Sequence, residues 1–369
     1  MRSLILLMVI TVFLASCKSQ TKTNSLPTSE RAARMEQAAS VPVPSPRTTL
    51  TAAPTLSLAP EETAVTIIPL AGDVSQRGAE ISGMTWYGDW LILLPQYPNF
   101  GGVDGDGRVF ALSREDIMDF LSGDIPGPLT PQSIPFVAPG LSHNIAGYEG
   151  YEAIVIDSDT VYLTVEAGPS SGMTGHLVKG IIAQDLSELR VDTDQVANIS
   201  SATDLPNKSD EAMLLMDERL LTIYEANGKS VNSSPVATLF DLELELVGTM
   251  PITSIEYRIT DVTAVDEHGR FWAINYYFPG EPELSTEHDP LAETYGQGAT
   301  HAVRDGVERL IEFQMEDDAI TLVDQPPLQL ELLADDLRNW EGITRLEDRG
   351  FLLVTDKFPQ TILGFVPFP

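Results

Sequence analysis

A short pattern of apolar and polar positions recurs five times along the chain. Each copy begins with a small or acidic residue, continues through an apolar stretch, a polar turn and a second apolar stretch, and ends on an acidic or amide residue. Runs of β-branched and aromatic residues around a polar turn predict a β-hairpin. The five predicted hairpins span residues 82–96, 152–166, 211–225, 261–275 and 341–356.

Weaker strand signals extend each hairpin into a larger unit. A third apolar segment follows every hairpin, and a fourth follows each of the first four. A further apolar segment at 65–70 precedes the first hairpin and supplies the strand that the last unit lacks. The units therefore cover about 79–138, 148–193, 207–251, 257–324, and 338–369 together with 64–71.

Four strands per unit with circular closure predict an all-β fold, because closure leaves no open sheet edge. We expect a five-bladed β-propeller closed by an N-terminal strand. A six-bladed propeller, with one blade missed in the long fourth interval, is the alternative. A two-sheet sandwich is less favoured because it does not require a fivefold recurrence.

The first residues have the pattern of an export signal. Arg2 precedes an apolar run at 4–14 that is too short to span a bilayer permanently. The segment Leu-Ala-Ser-Cys at 14–17 resembles a bacterial lipobox, and Cys17 is the single cysteine of the chain. The resemblance implies a signal peptide at 1–16, lipidation of Cys17 and anchoring to a bacterial cell membrane, at the outer membrane or the cell surface. An ordinary secretory signal is the alternative.

Composition divides the rest of the chain into a tether and a domain. Residues 17–63 are rich in Ser, Thr, Ala and Pro, which predicts a disordered tether, and residues 64–369 form the propeller domain. The formal charge is −32, and residues 1–63 contain six Lys or Arg and four Glu, which leaves −34 for the domain. This acidity argues against a nucleic-acid partner.

The hairpin register predicts an acidic ring at one mouth of the channel. The first strand of each blade lines the channel of a propeller, so the residue that opens a hairpin lies near the residue that closes it. The opening residues are Ser82, Glu152, Glu211, Asp261 and Glu341. The closing residues are Gln96, Glu166, Glu225, Asn275 and Asp356.

An oxygen-only set of this kind favours a hard cation such as Ca²⁺, which takes six to eight oxygen ligands. The predicted ligands are Glu152, Glu166, Glu211, Glu225, Asp261, Asn275, Glu341 and Asp356. A structural role is the alternative, in which these carboxylates accept backbone N–H groups of the adjacent blade. No cluster of Lys or Arg is evident near the ring in the sequence.

Two motifs resemble the exported phytase-like, or esterase-like, propeller family. They are Glu-Ile-Ser-Gly-Met at 80–84 and Asn-Trp-Glu-Gly-Ile at 339–343. The hairpins are also similar in style to those of calcium-dependent gluconolactonase-type propellers. The resemblance implies the propeller fold and a calcium-dependent hydrolysis of phosphate esters, lactones or other esters.

Two functions follow from these features. The first is a monomeric binding module that presents its channel face to a small molecule or an envelope protein. The second is the calcium-dependent hydrolase, with Glu152 or Glu211 as general base.

His143 and His301 lie in predicted loops on the same face as further candidate bases, although an ordinary loop histidine is the simpler interpretation. An acidic insertion at 281–293 is a candidate lid.

Overall fold

A computed structural model describes residues 59–334 and 336–369. The predicted signal peptide, Cys17 and the tether up to residue 58 lie outside these described residues. The described part is built mainly of strands, which confirms the all-β prediction. Within it, no helix has the length and apolar character needed to cross a bilayer.

The strands follow one another in the order that the sequence pattern predicts. The first half of the domain contains β1 Glu62–Thr63, β2 Thr66–Ile68, β3 Ile81–Tyr87, β4 Trp90–Pro95, β5 Arg108–Ser113, β6 Gln132–Val137, β7 Tyr148–Asp157, β8 Thr160–Ala167, β9 Thr174–Ile182 and β10 Leu189–Ser200. The second half contains β11 Asp210–Met216, β12 Arg219–Tyr224, β13 Val236–Asp241, β14 Leu246–Pro251, β15 Arg258–Val262, β16 Arg270–Tyr277, β17 Val307–Met315, β18 Ile320–Leu322, β19 Leu328–Leu330, β20 Trp340–Leu346, β21 Gly350–Thr355 and β22 Leu363–Pro367.

Three short helices of the described part of the chain lie outside the sheets. They are α1 Arg114–Ser122, α2 Leu141–Asn144 and α3 Pro290–Tyr295. The hydroxyl of Ser113 caps α1 by accepting the N–H of Asp116, and Gly123 ends the helix with φ at +80°, a conformation that favours glycine. Single 3₁₀ turns occur at Asp73–Ser75, Arg77–Ala79, Phe100–Gly102, Pro282–Leu284 and His301–Val303.

The strands group into five antiparallel units, which we number in chain order. Units 1, 2 and 3 are β3–β6, β7–β10 and β11–β14. Unit 4 consists of β15, β16 and β17, with β18 and β19 both paired to β17. Unit 5 consists of β20, β21 and β22, and β2 pairs antiparallel with β22 as its fourth strand. The sequence prediction that an N-terminal strand completes the last unit agrees with this pairing.

The first strands of the five units contact one another in a closed cycle. The contacts run from β3 to β7, β11, β15, β20 and back to β3. Two glycines permit the close approach between first strands. A Cβ at Gly83 would lie 3.0 Å from the carbonyl oxygen of Glu152, and one at Gly342 would lie 3.4 Å from the backbone nitrogen of Met84. This cycle supports the β-propeller prediction.

Five apolar clusters pack the units against each other, one between each neighbouring pair. Successive residues of a strand point to opposite faces of its sheet, so each second strand contributes to two clusters. Each fully buried large apolar side chain contributes roughly 1.5–3 kcal/mol. The pairs of residues that represent the five clusters are Ile92 with Val161, Tyr162 with Leu220, Leu221 with Phe271, Trp272 with Phe351, and Leu352 with Leu91.

Two pairings differ from the sequence prediction. The outer strands β6 and β10 pair in parallel at Phe136 and Leu189, which joins units 1 and 2 into one eight-stranded sheet. Residues 59–63, assigned to the tether, belong to the domain, because β1 pairs in parallel with β19 in unit 4. The carboxylate of Glu62 stabilises this pairing by accepting N–H bonds from Thr300 and His301.

Candidate functional site

A β-bulge lies at the opening residue of every unit. In each first strand the pairing register shifts where the opening residue occurs, for example between Asp210 and Ala212 around Glu211, and between Trp340 and Gly342 around Glu341. Equivalent shifts occur at Ser82, Glu152 and Asp261. A bulge changes the direction of a side chain and ends regular pairing. The five-fold repeat therefore includes a backbone irregularity that the apolar pattern does not show.

Seven of the ten predicted ring residues line one cavity of about 830 Å³. The cavity lies where the first strands begin and the second strands end, as the register predicts. The seven are Ser82, Gln96, Glu152, Glu166, Glu211, Glu341 and Asp356.

The other three ring residues are Glu225, Asp261 and Asn275, and all three are buried. Asp261 and Asn275 form hydrogen bonds with backbone groups, and Glu225 forms ion pairs with Arg258 and Lys208. Asp261 accepts the N–H of Ile343 in the adjacent unit at 2.8 Å, as the structural alternative predicts. The side-chain N–H₂ of Asn275 donates to the carbonyl oxygen of Arg258 at 3.0 Å, and its oxygen accepts from Arg309 at 2.7 Å.

One half of the ring contains an internal guanidinium. Arg258 is only 6% exposed, and its guanidinium lies 2.8 Å from Glu211 and 3.2 Å from Glu341 and also contacts Glu225. The sequence showed no basic cluster here, so that expectation was wrong. We call this side, made of Glu211, Glu225 and Glu341 with Arg258 and Lys208, the arginine half.

Lys208 adds a second buried cation to the arginine half. Its ammonium lies 3.4 Å from Glu225 and 2.8 Å from Glu281. Burial opposes a charge on Arg258, but the carboxylates of Glu211 and Glu225 outweigh burial and raise the pKa of its guanidinium. The arginine half therefore contains carboxyls that pair with cations from the chain itself, although burial still raises the pKa of Glu211 well above its usual value and that of Glu341 to about 8.

The opposite side of the ring, made of Gln96, Glu152 and Glu166, has a different chemistry, and we call it the glutamate half. Glu152 and Glu166 are 5% and 2% exposed. Gln96 donates an N–H to Oε1 of Glu152 at 3.0 Å. Oε1 of Glu166 is buried without a hydrogen-bond partner within the described residues. Neither glutamate forms an ion pair with a Lys or Arg of residues 59–334 or 336–369.

Burial and mutual repulsion raise the pKa values of the glutamate half. The pKa of Glu152 rises well above its usual value because the side chain is buried and because Glu166 is near. The pKa of Glu166 rises to about 7, first through burial and then through the charges of Glu225 and Glu149. A carboxyl that titrates near neutral pH indicates a site that gains from a proton or from another cation.

Aromatic side chains surround the cavity entrance. Phe278 and Phe358 are 49% and 47% exposed and line the same cavity as the buried glutamates, together with Tyr97. Of the predicted lid at 281–293, Glu281 lines the cavity, and Lys208 binds it. The cavity therefore has a buried carboxylate floor and an exposed rim that contains aromatic side chains beside charged ones such as Asp336 and Lys357.

The candidate histidine bases lie outside this cavity lining. His301 is 4% exposed, its Nδ1 lies 2.7 Å from Glu62, and its Nε2 accepts the backbone N–H of Glu308. It therefore connects β1 to unit 4. His143 lies in α2 and contacts the hydroxyl of Ser142 at 3.4 Å. Neither histidine supplies a group to the cavity floor.

The described residues contain no group of three or more His, Cys, Asp and Glu side chains arranged to hold a metal ion. In the arginine half, Arg258 and Lys208 lie among the oxygens that the sequence assigned to Ca²⁺. In the glutamate half, two carboxylates and the free amide oxygen of Gln96 remain as hard oxygen donors. The predicted calcium site stays a prediction, and its fit is restricted to the glutamate half.

Comparison with known proteins yields structural likenesses only. No family model matches the sequence, and no curated protein sequence matches it. The chain is similar to a GH43 endo-arabinanase from Bacillus licheniformis, with 10% identity, 81% of this chain and 96% of that chain covered, and a TM-score of 0.45.

Two other solved structures are similar to a comparable degree. A glycosyl hydrolase from Bacteroides ovatus has 10% identity, coverage of 84% and 90%, and a TM-score of 0.42. A luciferin-regenerating enzyme has 11% identity, coverage of 84% and 80%, and a TM-score of 0.38. With TM-scores below 0.5, these likenesses carry no argument about activity or substrate.

Proposed function

We propose that this chain is a lipid-anchored extracytoplasmic β-propeller of five blades that acts as a binding module for a cationic ligand. The closed cycle of first strands and the five interfacial clusters support five blades, with β2 completing the last. The lipobox at Cys17 supports the anchor. Incorporation of radiolabelled palmitate into the wild-type chain, and its loss in C17S, tests that part.

The observation that carries the proposed ligand is the unpartnered Oε1 of Glu166. It lines the cavity at the bottom of the glutamate half and has no hydrogen-bond partner among the described residues. A buried charged oxygen without a partner costs free energy, on the order of 1–3 kcal/mol or more, which a bound cation would recover. Because the available donors are hard oxygens, Ca²⁺ is the first cation to test.

Calorimetry and thermal unfolding with CaCl₂ test this proposal on the full-length chain. We expect a saturable heat and a rise in melting temperature with Ca²⁺. E166Q should abolish both, because it removes the buried charge. E267Q is the matched control, since Glu267 has a side chain 86% exposed in a hairpin turn and loses the same charge. Equal Ca²⁺ responses in E166Q and E267Q would place the cation elsewhere.

A hydrolase is the second candidate, favoured by the pKa of Glu166. A carboxyl with a pKa of about 7 is suited to general acid–base catalysis at neutral pH. Of the two candidate bases, Glu152 fits better, because both oxygens of Glu211 accept hydrogen bonds from Arg258 at 2.9 and 2.8 Å.

Phosphate ester, lactone and carboxylic ester substrates, each assayed with and without Ca²⁺, test the hydrolase. Turnover that is lost in E166Q and in E152Q and kept in E267Q would establish it. If none of the three substrate classes is turned over, the binding module remains as the proposed function.

A further inference from the structure

We infer that the natural ligand is an organic ammonium ion with an apolar body, bound with its nitrogen in the glutamate half and its body against the aromatic rim. This inference rests on the proposed function and names its ligand class. It depends on three features of the cavity, namely its size, its depth and the distribution of its hydrogen-bond acceptors.

The cavity is much larger than a bare ion requires. Its volume of about 830 Å³ lies in the range of roughly 300–1,000 Å³ that is typical of small-molecule sites. A water molecule occupies about 30 Å³ in the liquid, so a cation with six waters would fill only about a quarter of this space. The size therefore favours a ligand with a substantial body.

The buried carboxylates and the exposed aromatic rings lie at different depths of the cavity, whose exposed wall also contains Asp336 and Lys357. Glu152 and Glu166 are 5% and 2% exposed, whereas Phe278 and Phe358 are about half exposed. All four line one cavity, so a ligand that reaches both regions must be longer than an ion. Aromatic rings favour apolar contact and also attract cations through their faces. Arg77 already covers one face of Phe358, at 4.6 Å, which makes Phe278 the more available ring.

The hydrogen-bond acceptors on the floor match an ammonium group. A primary ammonium has three N–H donors and no acceptor. Oε1 of Glu166 is unpartnered within the described residues, and the side-chain oxygen of Gln96 is an acceptor, because its N–H₂ donates to Glu152. An ammonium ion needs acceptors at hydrogen-bond distance but not the close, multidentate arrangement of a metal site, which the described residues do not form.

Benzylamine, benzyl alcohol, ammonium chloride and CaCl₂ are the probes that test this inference. Binding to the full-length chain is measured by calorimetry at about pH 8, above the pKa of Glu166. We expect benzylamine to bind at least about tenfold more tightly than either benzyl alcohol or ammonium, because only benzylamine has both the charge and the ring. E166Q should lower its affinity by about tenfold or more.

Phe278→Ala distinguishes the rim from the floor. It should lower the affinity for benzylamine several-fold and leave the affinities for ammonium and Ca²⁺ unchanged. Leu246→Ala is the control, because Leu246 is a 64% exposed apolar residue outside the cavity lining. Since Phe278 and Leu246 are both exposed, both variants are expected to fold, which circular dichroism checks.

The outcomes separate this inference from the proposed function. If Ca²⁺ binds saturably and the affinity for benzylamine is no higher than that for ammonium, the organic ligand is overturned and the cation site is kept. Equal affinities for benzylamine and benzyl alcohol would show that the charge is not recognised and would overturn the inference. No binding of any cation would overturn both.

Discussion

The two halves of the cavity floor are built on the same backbone feature, and burial raises the pKa values of carboxyls in both. They differ in whether the chain supplies a cation to those carboxyls. Glu152 and Glu211 both occupy the bulge of a first strand, and both side chains face the cavity. Glu211 meets the guanidinium of Arg258, while Glu152 meets Glu166 and an amide. The fold therefore places the carboxylates, and a different position decides whether the chain also supplies their counterion.

That position lies three residues before each opening residue. Units 3, 4 and 5 have Lys208, Arg258 and Arg338 there, and units 1 and 2 have Ala79 and Glu149. All three cations are buried and ion-paired: Lys208 and Arg258 pair with ring carboxylates, and Arg338 pairs at 2.8 Å with Glu308 of β17, outside the ring. The difference between the halves is thus encoded in the repeat. It teaches that a site can be made by omitting one residue type from some copies of a repeated unit.

The largest expected effect is the loss of the guanidinium from the arginine half. Arg258→Met leaves Glu211, Glu225 and Glu341 buried without their shared cation. Removing one partner of a buried ion pair destabilises by about 3–5 kcal/mol. We expect a loss of this size in the free energy of unfolding, measured by urea denaturation.

Arg219→Met is the matched control for that prediction, because Arg219 is exposed at the start of β12. It should change the free energy of unfolding by less than about 0.5 kcal/mol. Adding E211Q to the Arg258→Met variant should recover part of the loss. If Arg258→Met were as stable as Arg219→Met, the guanidinium would not be the counterion of the arginine half.

The next effect is a dependence of stability on pH to which Glu166 of the glutamate half contributes. The pKa of Glu166 is about 7 in the folded protein, against 4.5 for the free side chain. The folded state therefore binds more protons between these values, and the free energy of unfolding falls as pH rises through about 7. The contribution of Glu166 is on the order of 3 kcal/mol.

Urea denaturation at about pH 5 and pH 8 measures this effect. Other buried carboxyls contribute in the same direction, so the comparison is between variants rather than between pH values alone. E166Q should lose less stability than the wild type over this interval, and E267Q should behave as the wild type. Identical losses in E166Q and the wild type would show that Glu166 titrates normally.

Much of this architecture could be predicted from the hairpin repeat. The spacing between residues such as Glu152 and Glu166 followed from apolar runs and turns, and the orphan strand before Ser82 was correctly paired with the last unit. These features depend on local periodicity and on closure of sheet edges, both of which a sequence shows directly. Seven of the ten ring residues consequently reached the cavity.

The remaining features depend on side-chain direction and on contacts between units. Register places Asn275 beside the ring, but only the folded backbone turns its amide towards carbonyl oxygens. The parallel pairing of β6 with β10 involves two residue pairs and has no periodic signal. The hairpin repeat does not predict Lys208 and Arg258, because both lie three residues before the opening residue where the repeat begins. A repeat that begins three residues earlier includes both cations.

The smallest expected effect comes from giving the glutamate half its own cation. Glu149→Lys places a lysine at the position that Lys208 occupies in unit 3. The charge of Glu149 now helps to raise the pKa of Glu166, so the substitution removes a repulsion and adds an attraction. At about pH 8 we expect a gain of about 1 kcal/mol in the free energy of unfolding, measured by urea denaturation.

Glu149→Gln separates the two contributions, because it removes the negative charge and adds no cation. It should stabilise less than Glu149→Lys and keep a weakened response to Ca²⁺, whereas Glu149→Lys should abolish that response. Cation binding that survives in Glu149→Lys would mean that the missing counterion does not define the site. If binding is lost as stability rises, the glutamate half binds its ligand because two units of the repeat lack the cation that the other three contain.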